Sequence, residues 1–538
     1  MRFAAIAALQ ILYTISVIGL ALYGIQALWL TVCTLQRFLL SSRRGWLTAP
    51  LRSVSHDAAL PVGDGTPSPT TDPHPWPAVT VQLPIYNERH VIERLINACA
   101  HLDYPREKLQ IQVLDDSDDL TTAIAARAVE QWQQQGVAIS LVRRPTRAGF
   151  KAGALAHGLA EATGEYIAIF DADFVPKPDF LRRTILCFYK PAPARKATPD
   201  ENPIGFVQAR WAHLNAAYSP LTTAQALALD GHFVVEQGGR QWAGWAMGFN
   251  GSGGIWRRRC IEDPSVGGWQ ADTLCEDLDL SYRAQLANWQ PHYRNDIEAP
   301  AEVPPQLVAF KRQQFRWAKG SIQTLRKMGP RVWQSDWSFL KRVAAVIHLG
   351  SYLIHPLLLL LLLTSLPLLL LNANPGAHIA LLSTASLGPP LLYAVGQGAL
   401  YGRGWWRQWR FLPLLTLIGT GICFSNTLAV VQGFSNHHGP FLRTPKFHVE
   451  AQADGWLRSS YRLPIDSSLL GELCCFLYAL LTVTVAFHTG NWMFGIYLLL
   501  YVGGFGLMLV VSLWQARPIP LVRPSRSSTR RSHRPLSP

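Results

Sequence analysis

Two acidic clusters carry the strongest chemical signal in this chain of 538 residues. Asp115-Asp116-Ser117-Asp118-Asp119 follows the apolar run LQIQVL, and Asp171-Ala172-Asp173 follows YIAIF. Carboxylates gathered in one place repel one another unless a cation neutralises them. Oxygen ligands of this kind suit Mg2+ or Mn2+, which also bridge to substrate phosphates. One aspartate after a strand is ordinary turn or cap chemistry. A D-x-D pattern after a wholly apolar strand, with a second acidic strand end nearby, favours a cation site. Between the clusters, Arg147-Ala148-Gly149-Phe150-Lys151-Ala152-Gly153 places Gly, Lys and Arg just before a helix. Backbone N–H groups and cationic side chains there can meet a phosphate, although the spacing is not that of a Walker A loop and an exposed basic loop reads the same way. Cys275-Glu276-Asp277-Leu278-Asp279-Leu280 opens an amphipathic helix running to Asn288. Acidic residues in a first turn also simply complement the helix dipole. Gln313-Gln314-Phe315-Arg316-Trp317 lies in a basic amphipathic stretch that would equally well anchor an interfacial helix.

The elements that must hold these groups begin at Ala78. The runs VTVQL, LQIQVL, ISLVRR and YIAIF have strand length and strand composition, and HVIERLINACAHL and FKAGALAHGLAEA between them are helical. Apolar strands alternating with amphipathic helices predict a parallel sheet covered on both faces. Ligands of such a sheet bind beyond the carboxyl ends of the strands, so both acidic clusters should face one crevice.

The apolar residues, 49% of the chain, concentrate before residue 36 and after residue 340. Phe3 to Leu35 is apolar, uncharged and too long for a signal-peptide core, so it reads as a spanning helix. Arg37, Arg43, Arg44 and Arg52 follow it, which by the positive-inside rule puts the following chain in the cytosol and the N-terminus outside. Residues 37–77 form a Pro-, Gly- and Thr-rich linker. Further spans are expected at about 341–371, 378–400, 467–487 and 492–514. Residues 411–434 contain Thr, Ser, Asn, Gln and Gly, and Arg403, Arg407 and Arg410 before them match Arg443, Lys446, Arg458 and Arg462 after them. Basic flanks on both sides predict an interfacial or re-entrant segment, not a span. Five spans then leave the basic tail, 517–538, in the cytosol. The net charge of +14 sits beside the apolar segments and in that tail. A membrane, not nucleic acid, is the expected partner. None of the eight cysteines forms a C-x-x-C pair, which points to buried thiols in a reducing compartment.

Order and spacing add what single motifs lack. Pro84-Ile85-Tyr86-Asn87-Glu88, Asp115-Asp116, Lys151-Ala152-Gly153, Asp171-x-Asp173, Glu276-Asp277 and Gln313-x-x-Arg316-Trp317 together resemble the processive family-2 glycosyltransferases. That group includes cellulose synthases, cellulose synthase-like mannan and glucan synthases, hyaluronan synthases and chitin synthases. The resemblance covers roughly residues 78–450. It implies an α/β GT-A fold, Rossmann-like, for a cytosolic domain at 78–340, joined to an α-helical transmembrane region at 341–516 and preceded by a first helix at 1–36. It implies that Tyr86, Glu88 and Asp116, with Asp115, hold the nucleobase and ribose. Asp171 and Asp173 would meet the nucleotide and its Mg2+ or Mn2+, with Asp173 the favoured direct ligand. Lys151 would lie near the diphosphate. Asp277, beside Glu276, would be the general base, Gln313 and Arg316 would bind the leaving diphosphate, and Trp317 would stack under the acceptor sugar. Phe441-Leu442-Arg443-Thr444-Pro445-Lys446 resembles the F-x-V-T-x-K gating loop of cellulose synthases, which makes Phe441, Thr444 and Lys446 its expected residues.

The implied activity is inverting, processive hexosyl transfer that builds a β-linked polysaccharide and is coupled to secretion through the plasma (inner) membrane. The resemblance favours UDP-glucose or GDP-mannose as donor. Cys275 stands where the family has threonine, and Arg443 where its loop has valine. The single N-terminal span points toward the smaller mannan and glucan synthase-like members. Two other readings are a single transfer to a lipid such as a polyprenyl phosphate or ceramide, and an inactive membrane scaffold or transporter.

Overall fold

The computed structural model describes residues 2–41, 76–189, 203–373, 383–435, 443–451, 454–457 and 459–517. Most of the expected linker, Phe441 of the loop and the tail from residue 518 lie outside the described residues.

A seven-stranded sheet forms the soluble part: β1 Val79–Ile85, β2 Leu109–Asp115, β3 Ile139–Arg143, β4 Tyr166–Ile169, β5 Ile204–His213, β6 Gly254–Arg257 and β7 Gln290–Ala301. The strand order is β3-β2-β1-β4-β6-β5-β7. The four strands expected from sequence all form and pair in parallel. The sheet as a whole is mixed, because β6 runs antiparallel to β4 and to β5 while β5 and β7 are parallel. This corrects the expectation of a wholly parallel sheet, and it matters for the site. An antiparallel strand begins where its parallel neighbours end. Ile169 of β4 pairs with Gly254 of β6, so Asn250 to Gly253 lie beside Asp171 to Asp173.

Alternation along the strands sends side chains to two cores. On one face, Val79, Val81 and Leu83 pack with Ile92, Leu95, Ile96 and Cys99 of the helix Ile92–Ala100 and with Ala125 and Val129 of Thr121–Gln134. On the other, Leu114, Ile167, Ile169, Phe206 and Trp256 meet Leu155 and Leu159 of Phe150–Ala160 and Leu280 and Ala284 of Glu276–Leu286. Fully buried Leu and Ile side chains contribute about 1.5–3 kcal/mol each. The sheet is thereby fixed as a rigid platform for the loops at its edge.

Four described helices are long and apolar enough to cross a membrane: Phe3–Phe38, Ser351–Leu370, Leu469–His488 and Trp492–Ala516. The first belongs to a continuous helix, Arg2–Ser41, of 40 residues. At about 1.5 Å per residue it is roughly twice the thickness of a hydrocarbon core. Its far end reaches the soluble domain: Trp29 stacks on Trp245 at 6.2 Å, and Thr34 Oγ1 donates to Val235 O at 3.1 Å. Of the segment 378–400, residues 378–382 are outside the described set, and Gly388–Tyr401 is helical. Residues 411–434 are two helices, Leu412–Gly421 and Cys423–Phe434, bent by 49°, the geometry of a broken span or a re-entrant loop. The first half packs closely on the helix Trp492–Ala516, because a Cβ on Gly421 would stand 2.4 Å from Gly504 O. The second half packs on the helix Leu307–Trp333, where Lys319 Nζ donates to Gln432 Oε1 at 3.3 Å and Arg326 to Gly433 O at 3.2 Å.

Candidate active site

The strand ends, the turn before β6, the helix Leu307–Trp333 and the loop from Arg443 enclose one crevice. Tyr86, Glu88, Asp116, Lys151, Asp171, Asp173, Glu276, Asp277, Gln313, Arg316, Trp317, Thr444 and Lys446 all line it. Residues spread over 360 positions of sequence therefore meet because the helices Glu276–Leu286 and Leu307–Trp333 and the loop from Arg443 close over the edge where the parallel strands end. Asp115 is the exception. It is buried, and its carboxylate accepts from Ser117 N at 2.9 Å and Thr122 Oγ1 at 2.7 Å and pairs with Arg143 at 3.5 Å. Its carboxylate is thus engaged in holding the acidic turn, and it is not among the residues that line the crevice.

At one end of the crevice, the Arg147 guanidinium lies 3.3 Å from the Tyr86 ring centroid, a close cation–π stack. Asp116 receives two bonds from Arg144, at 2.7 and 2.6 Å, the planar fork that guanidinium and carboxylate favour. Asn87, at φ +56°, exchanges bonds with Asp118 and donates its N–H to Ser117 Oγ. The turn after β1 is thus locked to the turn after β2.

At the centre, Lys151 Nζ donates to Asp171 Oδ1 at 2.6 Å and to Gly251 O at 2.9 Å, and stands 3.9 Å from Glu276. Burial alone would lower its pKa, but the charges of Asp171 and Glu276 outweigh burial and raise it. Lys446 Nζ donates to Asp173 Oδ2 at 2.6 Å, and its pKa is likewise raised by Asp173 against burial. Arg443 pairs with Glu88 at 3.3 Å and lies over Tyr461 at 4.2 Å. Even so, burial pushes Glu88 up to about 8. Asp277 is pushed up to about 7, first by burial and then by the charge of Glu276, with Lys151 opposing both. Burial also raises Glu276.

Seven carboxyl groups line the crevice (Glu88, Asp116, Asp171, Asp173, Glu276, Asp277 and Glu302) against five cationic side chains (Arg147, Lys151, Arg316, Arg443 and Lys446). Desolvation in this crevice is the first cause of the raised carboxyl pKa values, and for Asp277 the Glu276 charge adds to it. Asp171 and Asp173, each already holding a lysine ammonium, are the pair that could hold a divalent cation through hard oxygen donors. Gln313, Arg316 and Trp317, at i, i+3 and i+4, share one face of their helix and look into the same space.

Several contributors carry no motif that the sequence reading singled out. Glu302 is buried and accepts from Phe447 N at 3.0 Å and Val449 N at 3.3 Å, and Arg94 lies 3.7 Å away. One carboxylate at the end of β7 thereby anchors the loop that carries Lys446. Gly251, in the run FNGSGG, has φ +81°, and a Cβ there would stand 2.8 Å from Asp277 Oδ2 and 3.4 Å from Lys151 Nζ. That glycine-rich run was the available signal. Gly251→Ala is expected to cost about 1–3 kcal/mol of backbone strain and to push aside the Asp277 carboxylate. Thermal unfolding and activity of the same sample check this, since activity should fall well beyond the loss of folded protein. An unchanged kcat would remove the close-packing argument.

The model described as Glycosyl transferase family 2 matches residues 80–238, and that described as Glycosyl transferase family group 2 matches residues 166–396. Glucomannan 4-beta-mannosyltransferase 1 of Oryza sativa subsp. japonica is 40% identical over 270 residues, 49% of this chain and 50% of that one. The protein named Probable glucomannan 4-beta-mannosyltransferase 15 of Arabidopsis thaliana is 36% identical over 301 residues, 53% of each. Among solved structures, mannosyltransferase PcManGT from Pyrobaculum calidifontis, in complex with GDP-Man and Mn2+, covers 78% of this chain and 99% of its own. It does so with a TM-score of 0.45 and 22% identity. The chain spans about half the length of the curated relatives it matches. A mixed GT-A-like sheet with its acidic strand ends at one crevice, attached to apolar helices, defines the class of protein. Within that class the chain belongs to the family-2 glycosyltransferases, in their cellulose synthase-like branch.

Proposed function

We propose that the chain transfers hexosyl units from a nucleotide-sugar to a growing β-linked polysaccharide, with mannosyl as the unit and GDP-mannose as the donor. The observation that carries the reaction class is Asp277. It is a half-buried carboxyl whose pKa desolvation pushes up to about 7, in the crevice that also holds Asp171, Asp173, Gln313, Arg316 and Trp317. The choice of mannose over glucose rests on the relatives, which are named as glucomannan 4-beta-mannosyltransferases or probable ones.

Inverting transfer needs a base on one side of the anomeric carbon and a stabilised leaving group on the other. In this reading the acceptor hydroxyl gives its proton to the Asp277 carboxylate as its oxygen bonds to the anomeric carbon. The bond from that carbon to the diphosphate breaks with inversion, and the electron pair leaves on the nucleoside diphosphate. Gln313 and Arg316 bind the departing diphosphate, which gains negative charge during the step. Trp317 offers a flat apolar face to the acceptor ring. Tyr86, Glu88 and Asp116 hold the nucleoside end. Mg2+ or Mn2+ fits Asp171 and Asp173, because the two carboxylates already attract ammonium groups and supply only hard oxygen donors. Such an ion, when bound, neutralises charge on the diphosphate.

The domain limits and topology belong to the same proposal: a cytosolic catalytic domain at 78–340, an N-terminus outside, and five spans in the plasma (inner) membrane with 411–434 at the interface. The arginines after the first helix support this orientation. Processive synthesis coupled to secretion is the corresponding expectation for the membrane region.

Purified protein in detergent is to be given radiolabelled GDP-mannose or UDP-glucose, and the product sized and analysed for linkage. We expect a long β-1,4-linked mannan made from GDP-mannose. A product of one sugar on a lipid would overturn the polymerase reading, and exclusive use of UDP-glucose would overturn the choice of sugar.

A further inference from the structure

The turn before β6 is held by an unusual element. Gly231–Gln237 is a seven-residue π-helix, inserted between the helices Pro220–Asp230 and Gly238–Ala243. Such stretches are rare and recur at functional sites. In an ordinary α-helix, residues five apart point about 140° away from each other. Here His232 and Gln237, five apart, converge on the same side chain, that of Asn250. Asn250 Nδ2 lies 3.0 Å from His232 Nε2, and Gln237 Nε2 donates to Asn250 Oδ1 at 2.8 Å. The Asn250 backbone N–H donates to Gln208 Oε1 at 2.8 Å. The wide turn of the π-helix therefore works as a two-point clamp on one amide.

The clamp also fixes which end of the amide is which. His232 Nδ1 lies 2.8 Å from Glu236 Oε2, and Arg240 holds the same carboxylate oxygen at 3.5 Å. A carboxylate only accepts, so Nδ1 carries the proton and Nε2 accepts from Asn250 Nδ2. Gln237, as a donor, requires Oδ1 on its own side. Burial works against the ionised form of Glu236, but Arg240 and His232 hold its pKa at about 2, so the acceptor end of this chain stays charged. Asn250 Nδ2 has two hydrogens, and His232 takes one. Asn250 lines the crevice, and the next residue is Gly251, which receives Lys151 and abuts Asp277. A neutral donor set firmly beside the base is suited to a sugar hydroxyl.

We propose that Asn250 reads a pyranose hydroxyl at the point of transfer, through an Nδ2–H oriented by the π-helix residues His232 and Gln237. The inference rests on the reading of the crevice as a hexosyl-transfer site. The hydroxyl belongs either to the donor hexose or to the terminal acceptor hexose, and both present the same chemistry. Asn250 touches the sugar, whereas His232 and Gln237 are positioning residues.

The test uses the full chain in detergent, with GDP-mannose, mono-deoxy GDP-mannoses, a manno-oligosaccharide acceptor and its deoxy analogues. Asn250→Asp keeps the shape but removes both amide hydrogens. It should lower kcat/KM about tenfold or more and erase the wild-type preference for one particular hydroxyl over its deoxy analogue. If the erased preference is on the nucleotide-sugar the hydroxyl is the donor's, and if it is on the oligosaccharide the hydroxyl is the acceptor's. His232→Gln keeps an acceptor for Nδ2 and should retain most activity, while His232→Ala should reproduce the Asn250→Asp defect at an unchanged Tm. Wild-type kcat/KM and hydroxyl preference in Asn250→Asp would overturn the proposal. Equal loss in His232→Gln and His232→Ala would overturn the positioning part. If the unaltered protein transfers no hexose at all, the reading of the crevice fails, which is a separate result.

Discussion

Asp277→Asn is expected to lower hexosyl transfer by about 10²–10⁴-fold, the usual contribution of a positioned base, while donor binding is retained. Asparagine has the same shape and cannot take the acceptor proton. The pH dependence should carry the same signature. With the carboxyl pushed up to about 7, kcat/KM should rise as pH passes upward through that region and the base loses its proton. The neighbours set the sign of further shifts. Glu276 raises Asp277, so Glu276→Gln should move the rise to lower pH. Lys151 opposes it, so Lys151→Ala should move the rise to higher pH. Stability provides a second readout. A carboxyl raised above its unfolded value of 3.8 contributes stability that is fully present below that pH and is lost as pH rises through about 7. Asp277→Asn should therefore flatten this part of the stability profile and leave Tm at pH 8 no lower than that of the unaltered protein. Label incorporation and thermal unfolding over pH 5–9 measure both. Undiminished incorporation would sink the base assignment.

Chelation should abolish transfer, and Mg2+ or Mn2+ should restore it. Asp173→Asn should lower kcat by about 10²–10³-fold, comparable to losing one preorganised charge-stabilising group, and should raise the metal concentration needed for half-maximal rate. The reasoning is electrostatic. Asp171 and Asp173 stand in a crevice with five other carboxyl groups, and burial pushes Glu88, Glu276 and Asp277 toward their neutral forms. A diphosphate adds more negative charge to that space, and the lysines that pair with the two aspartates cannot balance it alone. Full activity in excess EDTA, or wild-type metal dependence in Asp173→Asn, would remove the metal from the proposal.

The meeting place of the acidic residues was legible because they lie at strand ends. Each of β1, β2 and β4 is a compact apolar run, and the polar residues directly after it can only sit at the sheet's edge. Tyr86, Asp116, Asp171 and Asp173 follow such runs directly, so the sequence alone places them at that edge. Gln313, Arg316 and Trp317 share a helical face by spacing alone. The apolar runs also announced the long helices, since no soluble fold needs such lengths without charge.

Other features depended on distant partners. Asp115 and Asp116 are adjacent in sequence and look equivalent, yet alternation along β2 turns one into the structure to hold Ser117 and Thr122 and the other toward the crevice with Arg144. The antiparallel β6 is four residues long, too short to show a period, and it forms because β4 and β5 leave a gap that its backbone fills. Lys446 meets Asp173 across 273 positions, held in place by Glu302, a residue with no motif. Asp277, the proposed base, illustrates the division. Its place at a helix start came from the sequence, and its proposed role from the resemblance of the Glu276-Asp277 pair to a family motif. Its pKa near 7 came from burial beside Glu276, Lys151 and Gly251, because desolvation and charge act through space and only the folded chain brings those groups together.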